Sequence, residues 1–191
     1  MINDALFYKS YEIIGGEKFM APMAAPTHSA IIMCLSARIF DYVVMKKNAY
    51  VFTDNIDVHL PDGNLFRPDL VVVTNENAKI VDWKKGIYGV PDMVVEVLSP
   101  STRQKDLTIK KDIYESNGVR EYWIIDPYIK AVDVYFLQDG KYKLAESYVK
   151  YSDFDFENLT DEEKAAVKNE VKVLIFDDLF VNIDDIFSWG Y

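Results

Sequence analysis

The chain has 191 residues, 50% of them hydrophobic and 27% charged, with a formal net charge of −10, 8 Gly, 7 Pro and 1 Cys. This composition suits one globular domain with a real core and excludes disordered, collagen-like and disulfide-stapled chains, since a lone cysteine forms no internal bridge. The charge also argues at first against a nucleic-acid partner, because polyanions are normally met by Lys and Arg.

Tyr11–Met20 reads as a strand or hairpin punctuated by Gly15-Gly16, and Pro22 and Pro26 mark a turn. From Thr27 to Met45 the apolar residues Ile31, Ile32, Leu35, Ile39 and Val43 recur at the spacing of an amphipathic helix, with His28 in its first turn. Short extended runs follow at Ala49–Thr53 and Asp57–Leu60, then a Pro61-Asp62-Gly63 turn. Pro68–Thr74 and Gly89–Ser99 are rich in valine and predict central strands buried on both faces. Ser101 or Thr102 is placed to cap a helix running to about Asn117, closed by Gly118. Strands are predicted at Glu121–Asp126 and Ala131–Leu137, and Asp139-Gly140 makes a tight turn into Lys141–Tyr148. Thr160–Glu163 has the form of a capping box for a short helix to about Glu170, followed by an extended Val171–Ile175. With no repeat, linker or break in composition, residues 1–191 are expected to form a single domain.

The acidity is unevenly spread. Residues 1–150 hold 18 basic and 20 acidic side chains, whereas residues 151–191 hold 3 and 11. Residues 79–111 carry 7 basic side chains against 4 acidic ones. Net charge therefore does not exclude a locally basic groove, although weak and strongly salt-dependent binding to nonspecific DNA is expected. No apolar run approaches the roughly 18 residues that span a bilayer, so no membrane partner is expected. The acid at Asp4 stands where a secretory signal would be basic, and a cytoplasmic location is expected.

Two predicted core strands each contain an acid that a core would not choose, Asp69 and Glu96. A buried carboxylate is costly unless it is paired or holds a metal. Asp92 also competes as the partner of Glu96. It lies four residues away on the same strand, about 13 Å, whereas neighbouring strands are only about 5 Å apart and can bring Asp69 to Glu96. Two carboxylates suit Mg²⁺, while His28, His59 and Cys34 show no zinc-ligand spacing. On the helix that follows, an advance of about 100° per residue gathers Leu107, Ile109, Ile113 and Tyr114 on one face, with Asp106 and Lys110 in its middle. An ordinary i,i+4 ion pair would explain these two taken alone. Beside two strand acids, Lys110 is the better candidate for an active-site lysine, and Lys111 for a surface one.

Arg67-Pro-Asp-Leu-Val-Val-Val73, Pro91-Asp-Met-Val-Val-Glu-Val-Leu-Ser-Pro-Ser-Thr102, the Asp106, Lys110, Tyr114 series and Gly118-Val-Arg-Glu-Tyr-Trp-Ile-Ile-Asp-Pro127 together resemble the Uma-two family of endonucleases. That family belongs to the PD-(D/E)XK, or restriction endonuclease-like, superfamily. Tyr11-Glu-Ile-Ile-Gly-Gly-Glu17, Pro26-Thr-His28 and Phe180–Phe187 are similar too. The resemblance implies an α/β (α+β) fold, with a central mixed sheet that carries the acids on adjacent strands and is flanked by helices, plus extra N-terminal and C-terminal strands. Asp69 matches the Asp of the Pro-Asp motif and Glu96 the acid of the (D/E)XK strand. Leu98 stands where that strand would carry lysine, and the family's relocation of the lysine to the next helix points to Lys110.

The resemblance thus implies an endonuclease with Asp69, Glu96 and Lys110 as catalytic residues. Mg²⁺, with Mn²⁺ as a substitute, would be held by Asp69, Glu96 and the backbone carbonyl of Val97. The implied partner is DNA, double-stranded first of all, and a homodimer would suit cleavage of both strands. His28, a lone histidine at a helix N-terminus, reads first as structural, with a place bordering the site as the alternative. Two alternatives remain open at this stage: an inactive nuclease-fold module for nucleic-acid binding or assembly, and a hydrolase of RNA or another phosphodiester.

Overall fold

In the computed structural model the described residues are 11–20, 25–53 and 56–188. Their fold is mixed α/β. A main sheet of six strands has the order β12-β11-β10-β9-β6-β3, formed by Lys141–Val149, Ala131–Gln138, Glu121–Asp126, Met93–Val97, Leu70–Thr74 and Ala49–Thr53 respectively. β9 runs parallel to β10 and antiparallel to β6, so the sheet is mixed and its two valine-rich strands lie inside it, as expected. Strand alternation divides its two faces. Met93, Val95, Val97, Trp123 and Ile125 point to one side, where helix α1 (Pro26–Lys46) supplies Ile31, Leu35, Ile39 and Val43. The C-terminal pair β13 (Glu170–Lys172) and β14 (Phe180–Asn182) and helix α6 (Ile183–Ile186) close that side.

The opposite face presents Val71, Val73, Val94 and Ile124 to a second, curled six-stranded sheet. Its order is β2-β1-β5-β4-β8-β7, made of Glu17–Met20, Tyr11–Ile14, Leu65–Phe66, Val58–His59, Gly86–Tyr88 and Val81–Asp82. On the same face lies a helical run of three pieces: α2 (Arg103–Lys105), a π-helical turn (Asp106–Lys110) and α3 (Lys111–Asn117). Gly118 closes the run with φ +88°, the left-handed conformation that glycine adopts without strain.

Several sequence expectations are corrected here. The π turn has an i→i+5 repeat, so the ideal helical wheel fails locally, and Ile109, assigned to the apolar face, is 49% exposed. Thr102 precedes α2 without a side-chain cap bond; its amide instead donates to Ser99 Oγ at 3.3 Å. The capping box at Thr160 forms, but helix α5 (Asp161–Ala166) stops before Glu170 because Val167 is extended. Helix α4 (Asp153–Glu157) and the two-residue and three-residue strands of the curled sheet are too short to leave a periodic signal. Pro22 lies outside the described residues. By length and composition α1 is apolar enough to cross a membrane, with a mean hydropathy of 1.4, because such a stretch tolerates scattered charges that break a strictly apolar run. In this fold one stripe of it is core.

Gly86 holds the curled sheet together at a point of close backbone approach. It has φ +142°, and a Cβ there would lie 2.6 Å from the Asp57 carbonyl oxygen, the acceptor of the Ile87 amide. Gly86→Ala is therefore expected to lower the unfolding free energy by about 2 kcal/mol in urea denaturation, through backbone strain with little cavity change.

Candidate active site

The register of the main sheet places the acids. Leu70 pairs with Val95 and Val71 with Val94. One further step of that antiparallel register sets Asp69 across from Glu96 on the same face, the one turned toward the helical run. The helical run supplies the cation. Glu96, Asp106 and Lys110 are 3%, 1% and 3% exposed, so all three carry their polar groups into the interior. Lys110 Nζ lies 2.9 Å from Glu12 Oε1, 3.1 Å from Glu96 Oε1 and 3.3 Å from Asp106 Oδ1. An ammonium has three donors, and here three carboxylates face them.

The remaining contacts fix this cluster in place. Tyr114 Oη donates to Glu96 Oε1 at 2.9 Å, and the Arg67 amide donates to Glu12 Oε1 at 3.1 Å. Tyr122 Oη donates to the backbone oxygen of Asp106 at 3.0 Å, which ties the π turn to the main sheet. The π turn sets both Asp106 and Lys110 inward, a recurrent use of such turns. Asp69 is held from two sides: its Oδ1 lies 2.9 Å from His28 Nε2 and its Oδ2 accepts the Val97 amide at 2.7 Å.

Three carboxyl groups, those of Glu12, Glu96 and Asp106, thus surround one ammonium, and Asp69 lies beside Glu96 in the sheet. Burial pushes Glu96 well above the usual carboxylate range; Lys110 opposes that rise, while Asp106, Asp69 and Glu12 add to it. Burial likewise raises Asp106 against the pull of Lys110. For Lys110, burial works to release the proton, but Glu96, Glu12 and Asp106 outweigh it and hold the side chain above its ordinary value. The lysine is therefore charged, while Glu96 and Asp106 hold their protons more tightly than exposed carboxyl groups, so a cation added beside Glu96 would compete with that proton.

The structure brings Asp69, Glu96 and Lys110 into one cluster, and His28 borders it through Asp69. Asp92, the competitor, is at the other end of β9. It accepts from the Thr74 amide at 2.8 Å and Thr74 Oγ1 at 3.0 Å, with Arg120 at 3.6 Å, and serves as a strand-end brace. Two members of the cluster were not singled out from the sequence. Glu12 shares the inward side of its strand with Ile14, so an acid at an inward position of an alternating strand was the available signal. Tyr114 was placed correctly on the inner face, but its apolar ring masked the role of its hydroxyl.

A mixed sheet with opposed acids on adjacent strands and a lysine from the following helix defines a restriction endonuclease-like fold. The chain belongs to the Uma2 family, described as "Putative restriction endonuclease", whose family model matches residues 8–164. A solved structure with the same fold is that of a putative nuclease belonging to DUF820 from Anabaena variabilis. It is 24% identical with a TM-score of 0.64, over 94% of this chain and 90% of that one. No curated protein matches the chain.

Proposed function

We propose that the protein is a Mg²⁺-dependent endonuclease that hydrolyses phosphodiester bonds in DNA, double-stranded DNA first of all. The observation that carries this reading is the placement of Asp69 opposite Glu96 with the Lys110 ammonium against the latter. The donor set supports a hard cation. It is all oxygen, and because no three or more His, Cys, Asp or Glu among the described residues form a metal-holding group, the chain would offer only the two carboxylates of Asp69 and Glu96. Mg²⁺ needs only one or two carboxylates and keeps waters elsewhere, and Mn²⁺ accepts the same ligands. Asp69, Glu96 and the Val97 carbonyl would hold the ion.

When bound, the ion supplies acidification of a water and neutralisation of phosphate charge. The protein's own part is positioning. His28 and the Val97 amide fix the two oxygens of Asp69, and Tyr114 and Lys110 fix Glu96. Lys110 also maintains a positive charge where the phosphate charge would develop. A homodimer would place two such sites on the two strands of a duplex. One observation favours the non-catalytic reading: the Lys110 ammonium is buried among Glu12, Glu96 and Asp106, and its ion pairs are with these carboxylates.

A plasmid-nicking assay with Mg²⁺, Mn²⁺ and EDTA separates the two readings. Wild type is expected to relax supercoiled plasmid with either metal and to be silent in EDTA, while Glu96→Ala is silent throughout. Folded wild type that cleaves neither plasmid nor other nucleic acids with either metal would overturn the enzymatic reading.

A further inference from the structure

Edge strand β3 carries an aromatic cluster on the same face of the main sheet as the acids. Tyr50 pairs with Val73 and Phe52 with Val71, and residues 69, 71 and 73 of one strand share a face. Trp83, in the turn between β7 and β8, leans on both rings, 5.1 Å from Tyr50 in an edge-on arrangement and 5.8 Å from Phe52. Phe52 is anchored against the core, whereas Trp83 is 69% exposed and Tyr50 36%. The indole is thus fixed from behind and open in front. A tight turn has no packing need for so large an exposed apolar surface.

Two further features identify the occupant. Lys84 and Lys85 follow Trp83 directly and are exposed; the nearby acid is Asp82, a loose 3.9 Å partner of Lys85. An exposed aromatic ring with adjoining lysines suits a nucleobase on the ring and phosphates on the ammonium groups. The cluster is also near the site. Asp69 and Val73, the partner of Tyr50, are four residues apart on one strand, about 13 Å. Val71 and Val73 are buried beneath the curled sheet, so a nucleic-acid strand would reach both places around that cover.

We propose that Trp83, backed by Tyr50 and Phe52 and flanked by Lys84 and Lys85, is a stacking platform for an unpaired nucleobase of the strand engaged at the acidic pocket. This rests on the nucleic-acid reading above and adds a preference to it: substrates with a single-stranded stretch beside the cleavage point.

The test uses the full chain in EDTA, so that binding is read without cleavage. An oligothymidylate of about 15 nucleotides, long enough for a site of this kind, is titrated against tryptophan fluorescence, with a blunt duplex of the same length in parallel. The oligothymidylate is expected to quench the fluorescence and the duplex to leave it nearly unchanged. Trp83→Ala is expected to lose the quench and to bind about tenfold more weakly, with Trp83→Phe recovering most of the affinity. Reversing Lys84 and Lys85 to Glu is expected to lower the slope of log affinity against log salt by about 1.4, the share of two phosphate contacts on a single strand. Unchanged affinity in Trp83→Ala would overturn the platform, as would a change in the self-association of the free protein, which would assign the face to a second copy. Binding that depends on Trp83 in a protein that never cuts would leave the platform standing and sink the catalysis. Metal-dependent cutting with unchanged binding in Trp83→Ala would do the reverse.

Discussion

Glu96→Gln is expected to reduce cleavage by roughly a thousandfold, equivalent to about 4 kcal/mol of transition-state stabilisation, while leaving the fold as stable as wild type or about 1 kcal/mol more so. The two effects have one cause. Glu96 is a buried acid beside three other carboxyl groups, and its charge is what a metal ion would use and what the folded interior opposes. Glutamine retains an oxygen for Tyr114 and Lys110 and removes the charge. Lys110→Met is the complementary change. It leaves Glu12, Glu96 and Asp106 buried without their common cation and is expected to cost about 3–5 kcal/mol. Urea denaturation of both variants, beside the nicking assay, checks the pair. A strongly destabilised Glu96→Gln, or one that cuts normally, would contradict this account of the site.

The second large effect lies on the other face of the sheet and concerns stability alone. Glu121 is fully buried, and its carboxyl group accepts from Trp123 Nε1 at 2.6 Å, the Leu174 amide at 2.9 Å and the Ile175 amide at 2.7 Å. It thereby fastens the C-terminal segment to the main sheet. Glu121→Ala strands one buried and two partly buried donors and is expected to cost about 3–5 kcal/mol, whereas Glu121→Gln satisfies two of them and costs less.

Burial pushes Glu121 up to about 7 from the ordinary 4.5, against the three donors, which favour the carboxylate. The folded chain therefore binds this proton more tightly than the unfolded chain. The resulting contribution to stability is complete below the unfolded value and is lost as pH rises to about 7. Wild type is accordingly expected to lose stability relative to Glu121→Gln across that window, by an amount on the order of 3 kcal/mol. A difference that stays flat with pH would contradict it.

What the sequence made legible follows from how each residue is constrained. Glu96 stood out because a charge among Val94, Val95, Val97 and Leu98 violates the pattern of a buried strand, and Asp69 because it opens a similar run. Strand spacing allowed their convergence, and the family resemblance implied that their strands are neighbours. Lys110 was found as an anomaly on an ideal helical wheel that the π turn does not obey, and it survived because burial of Asp106 and Lys110 is the turn's local outcome. Of the curled sheet, the hairpin over Tyr11–Met20 and the extended run at Asp57–Leu60 were legible, whereas β5, β7 and β8 were not, since strands of two or three residues carry no period and are held by long-range pairing. Glu121 was invisible for a different reason. Its partners are backbone amides of the C-terminal segment, and amides carry no side-chain signature.

The pinning of Lys110 by Glu12 has a consequence for the order in which the molecule matures. The cluster draws on position 12 of the N-terminal hairpin, position 28 at the head of α1, positions 69 and 96 of the main sheet and positions 106 to 114 of the helical run. Contacts of such long sequence separation form only after the intervening chain has closed its loops. No fragment shorter than residues 12–114 contains the constellation, so a nascent chain has strands and helices before it has an assembled site. In a protein proposed to cut DNA, competence would then arrive with the complete fold, and local unfolding of the hairpin would be enough to withdraw it.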